Sequence, residues 1–161
     1  MRILLVDQSL DFCAIVAAWL NEFFGAVWVE SAASGGAALD AIERRRPELV
    51  LATHLMPVLN GIALAAVIKA RPTSPAVVVI NAGNDADFEA QCAAAGADFC
   101  AEKRHLQARL LDFLQRRFAS AWAEAVAART LASPRARSIA RAASSAAPPR
   151  FLNRYVTGDQ S

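Results

Sequence analysis

Five short apolar runs, each followed by a stretch of helical periodicity, constrain this chain more than any other feature. The runs are ILLV at 3–6, VWV at 27–29, LVLA at 49–52, AVVVI at 76–80 and DFCA at 98–101. Apolar runs without polar alternation suit strands covered on both faces, as in a parallel sheet. After the first run, Phe12, Ile15, Val16, Trp19, Leu20 and Phe23 recur at helical spacing, and Gly25 stops the helix. Ser34 can cap a second helix carrying Ala38, Leu39 and Ile42; Arg44, Arg45 and Arg46 suit its last turn and Pro47 ends it. Ile62, Leu64, Ala65, Val67 and Ile68 mark a third helix, stopped at Arg71-Pro72. Asn84 or Asp85 can cap a fourth that runs to Ala95 and closes at Gly96, and Leu106, Leu110, Phe113 and Leu114 begin a fifth. Five strands alternating with five helices predict an α/β fold, a doubly wound (βα)5 parallel five-stranded sheet with right-handed crossovers. In such a sheet, chemistry sits outside the carboxyl ends of the strands. Those ends are Asp7-Gln8, Thr53, Asn81 and the segment around Lys103.

Composition bears on what this fold can be used for. The longest apolar run falls short of the ~20 residues a membrane span needs, and Asp7 interrupts the first run where a signal peptide would stay apolar. A cytoplasmic protein is expected. Cys13, Cys92 and Cys100 form no CxxC pair and lack a His at metal-ligand spacing, so they read as small buried hydrophobes. Charge is uneven. Residues 1–127 hold 11 Lys and Arg against 14 Asp and Glu, whereas residues 128–161 hold six Arg and one Asp.

Four segments together, ILLVD, PELVLATHLMPVLNG, SPAVVVINA and AAGADFCAEK, resemble the receiver domain of two-component response regulators, of the chemotaxis-regulator type. The likeness runs over about residues 2–117. It implies a flavodoxin-like strand order 2-1-3-4-5. It also implies a pocket at the strand ends where relatives hold Mg²⁺ and a phosphoryl group. On that pattern two adjacent acids follow the first strand, and here they are Asp7 and Gln8. The phosphoacceptor Asp, four residues before the Met-Pro proline, is Thr53, counting back from Pro57. The switch hydroxyl at the end of the fourth strand is Asn81, and the switch aromatic three residues before the lysine is Cys100. The lysine itself is kept as Lys103, and the proline that usually follows it is Arg104.

The implied changes have a consequence in charge. Mg²⁺ in phosphate sites is held by one or two carboxylates plus phosphate oxygens. With Gln8 and Thr53 in place, one carboxylate remains, and Lys103 can pair with it directly or through a water. No metal and no cofactor is expected. Thr53 would need a positioned general base to become a nucleophile. Its sequence neighbour His54 should point to the opposite face by strand alternation, so Thr53 is read as a residue standing where the Asp was lost.

Beyond Leu114 the helical spacing continues through Phe118, Trp122 and Val126. This predicts a helical overhang of the fifth helix, which either folds back to cap the domain or presents its apolar stripe as a partner surface, on the face of helix four, strand five and helix five that relatives use. The division expected is 1–118 receiver-like domain, 119–132 helical extension and 133–161 a basic Ala/Ser/Pro/Arg-rich tail without a core of its own. Phe151, Leu152 and Tyr155 lie in that tail.

The function expected is that of an atypical, stand-alone receiver protein in bacterial phosphorelay signalling. It would act as a phosphorylation-independent protein–protein interaction module and not as an enzyme. Its partner would be a sensor kinase, another regulator or a second copy of itself. Two alternatives stay open: a doubly wound domain that binds a small ligand such as a flavin or nucleotide, and a regulator that contacts nucleic acid through its Arg-rich tail.

Overall fold

The computed structural model describes residues 1–25, 27–83 and 86–132. The apolar runs form β1 (Arg2–Val6), β2 (Trp28–Ala32), β3 (Leu49–Thr53), β4 (Ala76–Asn81) and β5 (Phe99–Glu102). The periodic stretches form α1 (Leu10–Phe24), α2 (Gly35–Arg45), α3 (Gly61–Lys69), α4 (Phe88–Ala94) and α5 (Leu106–Arg117), with a further helix α6 (Ala119–Ala132). All strands are parallel, in the order β2-β1-β3-β4-β5. The chain winds outward from β1 in both directions, so β1 and β3 flank the switch point of the sheet.

The unbroken apolar character of β1, β3 and β4 follows from helices on both faces. Alternate residues supply two cores. Ile3, Leu5, Leu49, Leu51, Val78 and Ile80 pack beneath α1 and α5. Leu4, Val6, Val50, Ala52, Val77 and Val79 pack beneath α2, α3 and α4. Burial of this kind stabilises by roughly 25 cal/mol per Å² of apolar surface, which makes the strand interior the main source of stability.

Boundaries shift where pairing outruns hydrophobicity. The second strand, read from the sequence as residues 27–29, extends to Ala32, because Glu30 and Ser31 stay in register with Leu4 and Leu5. It is an edge strand, where polar side chains are tolerated. The fifth begins at Phe99, because Asp98 turns its carboxylate to the Val77 N–H, 2.7 Å away, and to Lys69. Ser9, Ser34 and Asn60 cap α1, α2 and α3 through side-chain oxygens that accept from Phe12, Ala37 and Ala63 N–H groups. The cap expected at Asn84 or Asp85 lies outside the described residues; α4 itself opens at Phe88. Gly61 is required by close approach, since a Cβ there would stand 2.5 Å from the Thr53 carbonyl oxygen.

Of the two readings of the helical overhang, the fold-back is the one observed. The fifth helix does not run on as a single rod. It ends at Arg117, Phe118 leaves helical geometry (φ −124°, ψ 45°), and α6 starts at Ala119. The turn lays Trp122 edge-on against Phe24 of α1, with ring centroids 5.0 Å apart. Phe118 and Ala125 join the same core, while Val126 stays 44% exposed. A straight continuation would leave two aromatic rings in water. Bending buries them and adds an edge-to-face contact worth about 1 kcal/mol beyond area. Phe118 and Trp122 are thus partly buried against the chain's own core, and the four-residue stripe does not survive as one exposed surface. The tail at 133–161 lies outside the described residues, as does the nucleic-acid contact proposed for it.

Candidate functional site

Strand pairing brings Leu5 beside Leu51, and the next residues of like parity are Asp7 and Thr53. Both project from the strand ends on the α1–α5 side. Asp7 follows directly on β1 and is 6% exposed; Thr53 closes β3 and is 5% exposed. Lys103 opens the 3-10 turn Lys103–His105 that joins β5 to α5, and it reaches back across the sheet edge.

The Asp7 carboxylate collects three donors. Its Oδ1 accepts from the Ser9 N–H at 2.8 Å. Its Oδ2 accepts from the Thr53 hydroxyl at 2.5 Å and from Lys103 Nζ at 3.0 Å. The ammonium also lies 4.0 Å from the centre of the Phe12 ring, a cation–π contact from beneath. Below the group, the Cys13 thiol donates to the Asp7 carbonyl oxygen at 3.8 Å. Burial pushes that thiol above its ordinary pKa, so it remains protonated at neutral pH. Asp7 and Lys103 side chains are 8% and 13% exposed. A pair so far withdrawn from water is neutralised locally, and each partner's removal leaves the other poorly compensated.

This arrangement bears on a divalent cation. A hard cation needs several oxygen ligands with free lone pairs. Here one carboxylate is engaged on both oxygens, Thr53 contributes a hydroxyl whose proton points at Asp7, and Gln8 is exposed. Among the described residues no three His, Cys, Asp or Glu side chains cluster as a metal would require. The residues present do not fit a magnesium site.

Asn81 and Cys100 belong to a different place. Asn81 shares the parity of Val77 and Val79, and its Oδ1 accepts from the Gly83 N–H at 3.0 Å. With Cys100, Phe88, Arg104, His105 and Arg109 it lines a cavity of about 370 Å³ between α4, β5 and α5. Glu89 and Glu102 stand on the same walls and pair with Arg109 and Arg104. The bond from Arg104 holds the exposed Glu102 carboxyl below the usual range. His54 faces away from Thr53, as strand alternation requires, with its ring 5.6 Å from that of Phe88 and its Nδ1 without a hydrogen-bond partner.

The expected Asp7–Lys103 contact is direct, whereas the Thr53 hydroxyl on Asp7 and the supports of the group were not foreseen. Ser9 closes an Asx-turn onto Asp7, a pattern legible in an Asp two residues before a capping Ser. Phe12 was readable only as a core residue; that its ring lies under Lys103 depends on contacts 91 residues apart and had no local signal.

The sequence model described as "Response regulator receiver domain" matches residues 3–115. A protein-glutamate methylesterase/protein-glutamine glutaminase of Desulfotalea psychrophila is 35% identical over 81 residues, which is 50% of this chain and 22% of that protein. The DNA-binding transcriptional activator EvgA of Escherichia coli K12 is 30% identical over 70 residues, 44% of this chain and 34% of the activator. The chain thus spans about a fifth to a third of the length of these curated relatives. In fold it is similar to the BeF3-activated N-terminal receiver domain of Klebsiella pneumoniae RstA. The TM-score is 0.65 at 22% identity, covering 71% of this chain and 96% of that one. Among the described residues no helix is long and apolar enough to cross a membrane.

Proposed function

Because the chain belongs to the response regulator receiver domain family, and with it to two-component signalling, we propose that it is a degenerate member that works by protein–protein contact independent of phosphorylation. The observation that carries this is the Asp7 carboxylate engaged on both oxygens by Ser9, Thr53 and Lys103. In the resemblance drawn from the sequence, Thr53 stands where relatives carry the phosphoacceptor Asp, and Gln8 where they carry a second acid. A hydroxyl is a poor substitute for that acid. It adds no negative charge to attract a cation, and as a donor it consumes the lone pair a cation would use.

On this reading the Asp7–Lys103 pair is the resting arrangement of the corner, with no phosphoryl group to draw Lys103 away from it. The family's switching logic would then have no input, since a two-state equilibrium shifts only when something binds one state better. What remains is a constant surface for docking a sensor kinase, another regulator or a second copy, and the chain performs no catalysis of its own. The docking face proposed is that of α4, β5 and α5; α6 packs on α1 and on part of α5.

The test is chemical. The full chain, incubated with acetyl phosphate and Mg²⁺, should keep its intact mass and its oligomeric state. A stable gain of one phosphoryl group, mapped to any residue of the Asp7–Thr53–Lys103 corner, would refute the reading.

A further inference from the structure

The amino-terminal edge of the sheet, at the other end of the strands from Asp7, carries a groove of about 770 Å³. Its walls are the turn from α2 into β3, the turn from α3 into β4, and the last residue of α5. Each wall contributes one arginine: Arg46, Arg71 and Arg117. Two carboxylates share the groove, and both are engaged. Glu43 pairs with Arg71 at 3.3 Å. Glu48 accepts from the Arg2 N–H at 2.7 Å and faces the N-terminal ammonium at 4.0 Å. Among the described residues no carboxylate pairs with Arg46 or Arg117. Two positive charges are left over.

The helix macrodipole is reason enough for Arg45 and Arg116, which lie in the last turns of α2 and α5 and pair with Glu30 and Asp112. Arg46 needs another reason. It caps α2 in the left-handed region, at φ 47° and ψ 63°, and its N–H donates to the Ile42 carbonyl oxygen at 2.9 Å. That position favours glycine, because a Cβ crowds the following carbonyl. An arginine there costs backbone strain and brings its helix no ion pair.

We propose that the groove binds a small organic phosphate monoester, whose anionic head is held by Arg46 and Arg117. A planar guanidinium meets phosphate oxygens two at a time. The Thr73 and Ser74 hydroxyls on the neighbouring turn supply further donors. A carboxylate offers two oxygens and one charge. A phosphate monoester offers three free oxygens and close to two charges, which matches two unpaired guanidiniums and two hydroxyls better. Pro47, Pro72 and Pro75 stiffen both turns, so the walls stand in place before a ligand arrives. Ile42 and the proline rings give the organic part an apolar surface. The volume falls within the range of small-molecule sites, about 300–1,000 Å³. The Asp7 corner lies at the opposite strand ends, so binding here is independent of its state.

The probe is adenosine 5′-monophosphate, with adenosine and inorganic phosphate beside it. Titrated at low salt into the isotope-labelled full chain, the monophosphate should shift the backbone amides of Arg46, Glu48, Thr73, Ser74 and Arg117 saturably. Inorganic phosphate should move the same amides with weaker affinity, and adenosine should move none. Added salt should weaken binding, because the attracting charges are exposed. Arg46→Gly should lower the affinity about tenfold, the loss of one charged hydrogen-bonding partner. Its urea midpoint should stay level or rise, because glycine suits the left-handed turn, so lost binding there is not lost folding. Arg117→Ala should weaken binding as much. No saturable shift at millimolar monophosphate would overturn the proposal. So would shifts confined to the Arg-rich segment 128–161, equal binding of adenosine, or undiminished affinity in Arg46→Gly.

Discussion

At the carboxyl end of β3, Thr53 gives its hydroxyl to Asp7 and closes the corner; at the end of neighbouring β4, Asn81 bonds Gly83 and lines an open cavity. The two residues are close in the sheet, since Thr53 is in register with Ile80. They differ in parity. Thr53 continues the row of Leu49 and Leu51 toward α1 and α5, whereas Asn81 continues Val77 and Val79 toward α3 and α4. On the first side a carboxylate, a hydroxyl and an ammonium neutralise one another with little water left between them. On the second, the residues that would fill the space are small, Cys100 and Ala101 among them, and the charges sit in pairs on the rim. The difference teaches that one sheet edge can be shut at the point where charge is concentrated and left open where bulk is missing.

The strongest way to break the comparison is to put acids back. Gln8→Asp combined with Thr53→Asp would place three carboxylates against one ammonium. Without metal the variant should lose on the order of 3 kcal/mol of stability through like-charge repulsion, read as a lower urea midpoint. Millimolar Mg²⁺ should restore most of it by binding the folded state only. If the double variant is as stable as the parent without metal, the corner is not the crowded, low-dielectric site described here.

Lys103→Ala should cost about 3 kcal/mol, because it leaves Asp7 with neutral donors alone. Lys103→Met, which keeps the stem over Phe12, should recover part of the packing but not the charge. Equal losses in the two variants would show that the ammonium contributes little. Thr53→Val should cost about 1–2 kcal/mol for one buried donor removed, and equilibrium denaturation distinguishes this from the larger lysine effect. The smallest effect is expected across the comparison, at the cavity. Cys100→Phe should change stability by less than about 1 kcal/mol in either direction, since the added ring enters space already open. A large loss there would mean the cavity is tighter than its volume suggests.

How much of this was legible in the sequence depends on how local its cause is. The strands were, because continuous apolar runs are written residue by residue, while their order came only with the resemblance to receiver domains; Ser34 announced its helix by cap chemistry. The Asp7–Lys103 contact was, because both are charged and both fall at strand ends. Thr53 was less so. Its hydroxyl looked like a group in need of a base, with His54 the nearest candidate, while its partner is Asp7 across the sheet. The separation of Asn81 and Cys100 from the corner follows from side-chain parity at the end of β4 and β5, where one residue of register decides the face. A fold-back of the overhang was one of two readings open, but the position of the break at Phe118 had no local signal. The local spacing favours a longer helix, and only the docking of Trp122 on Phe24, 98 residues away, bends it.

Calorimetric titration of the full chain with Mg²⁺ asks most directly whether the Asp7 carboxylate is already occupied. The arrangement of Ser9, Thr53 and Lys103 around it predicts no saturable binding through the millimolar range. A micromolar dissociation constant that disappears in Asp7→Asn would contradict it.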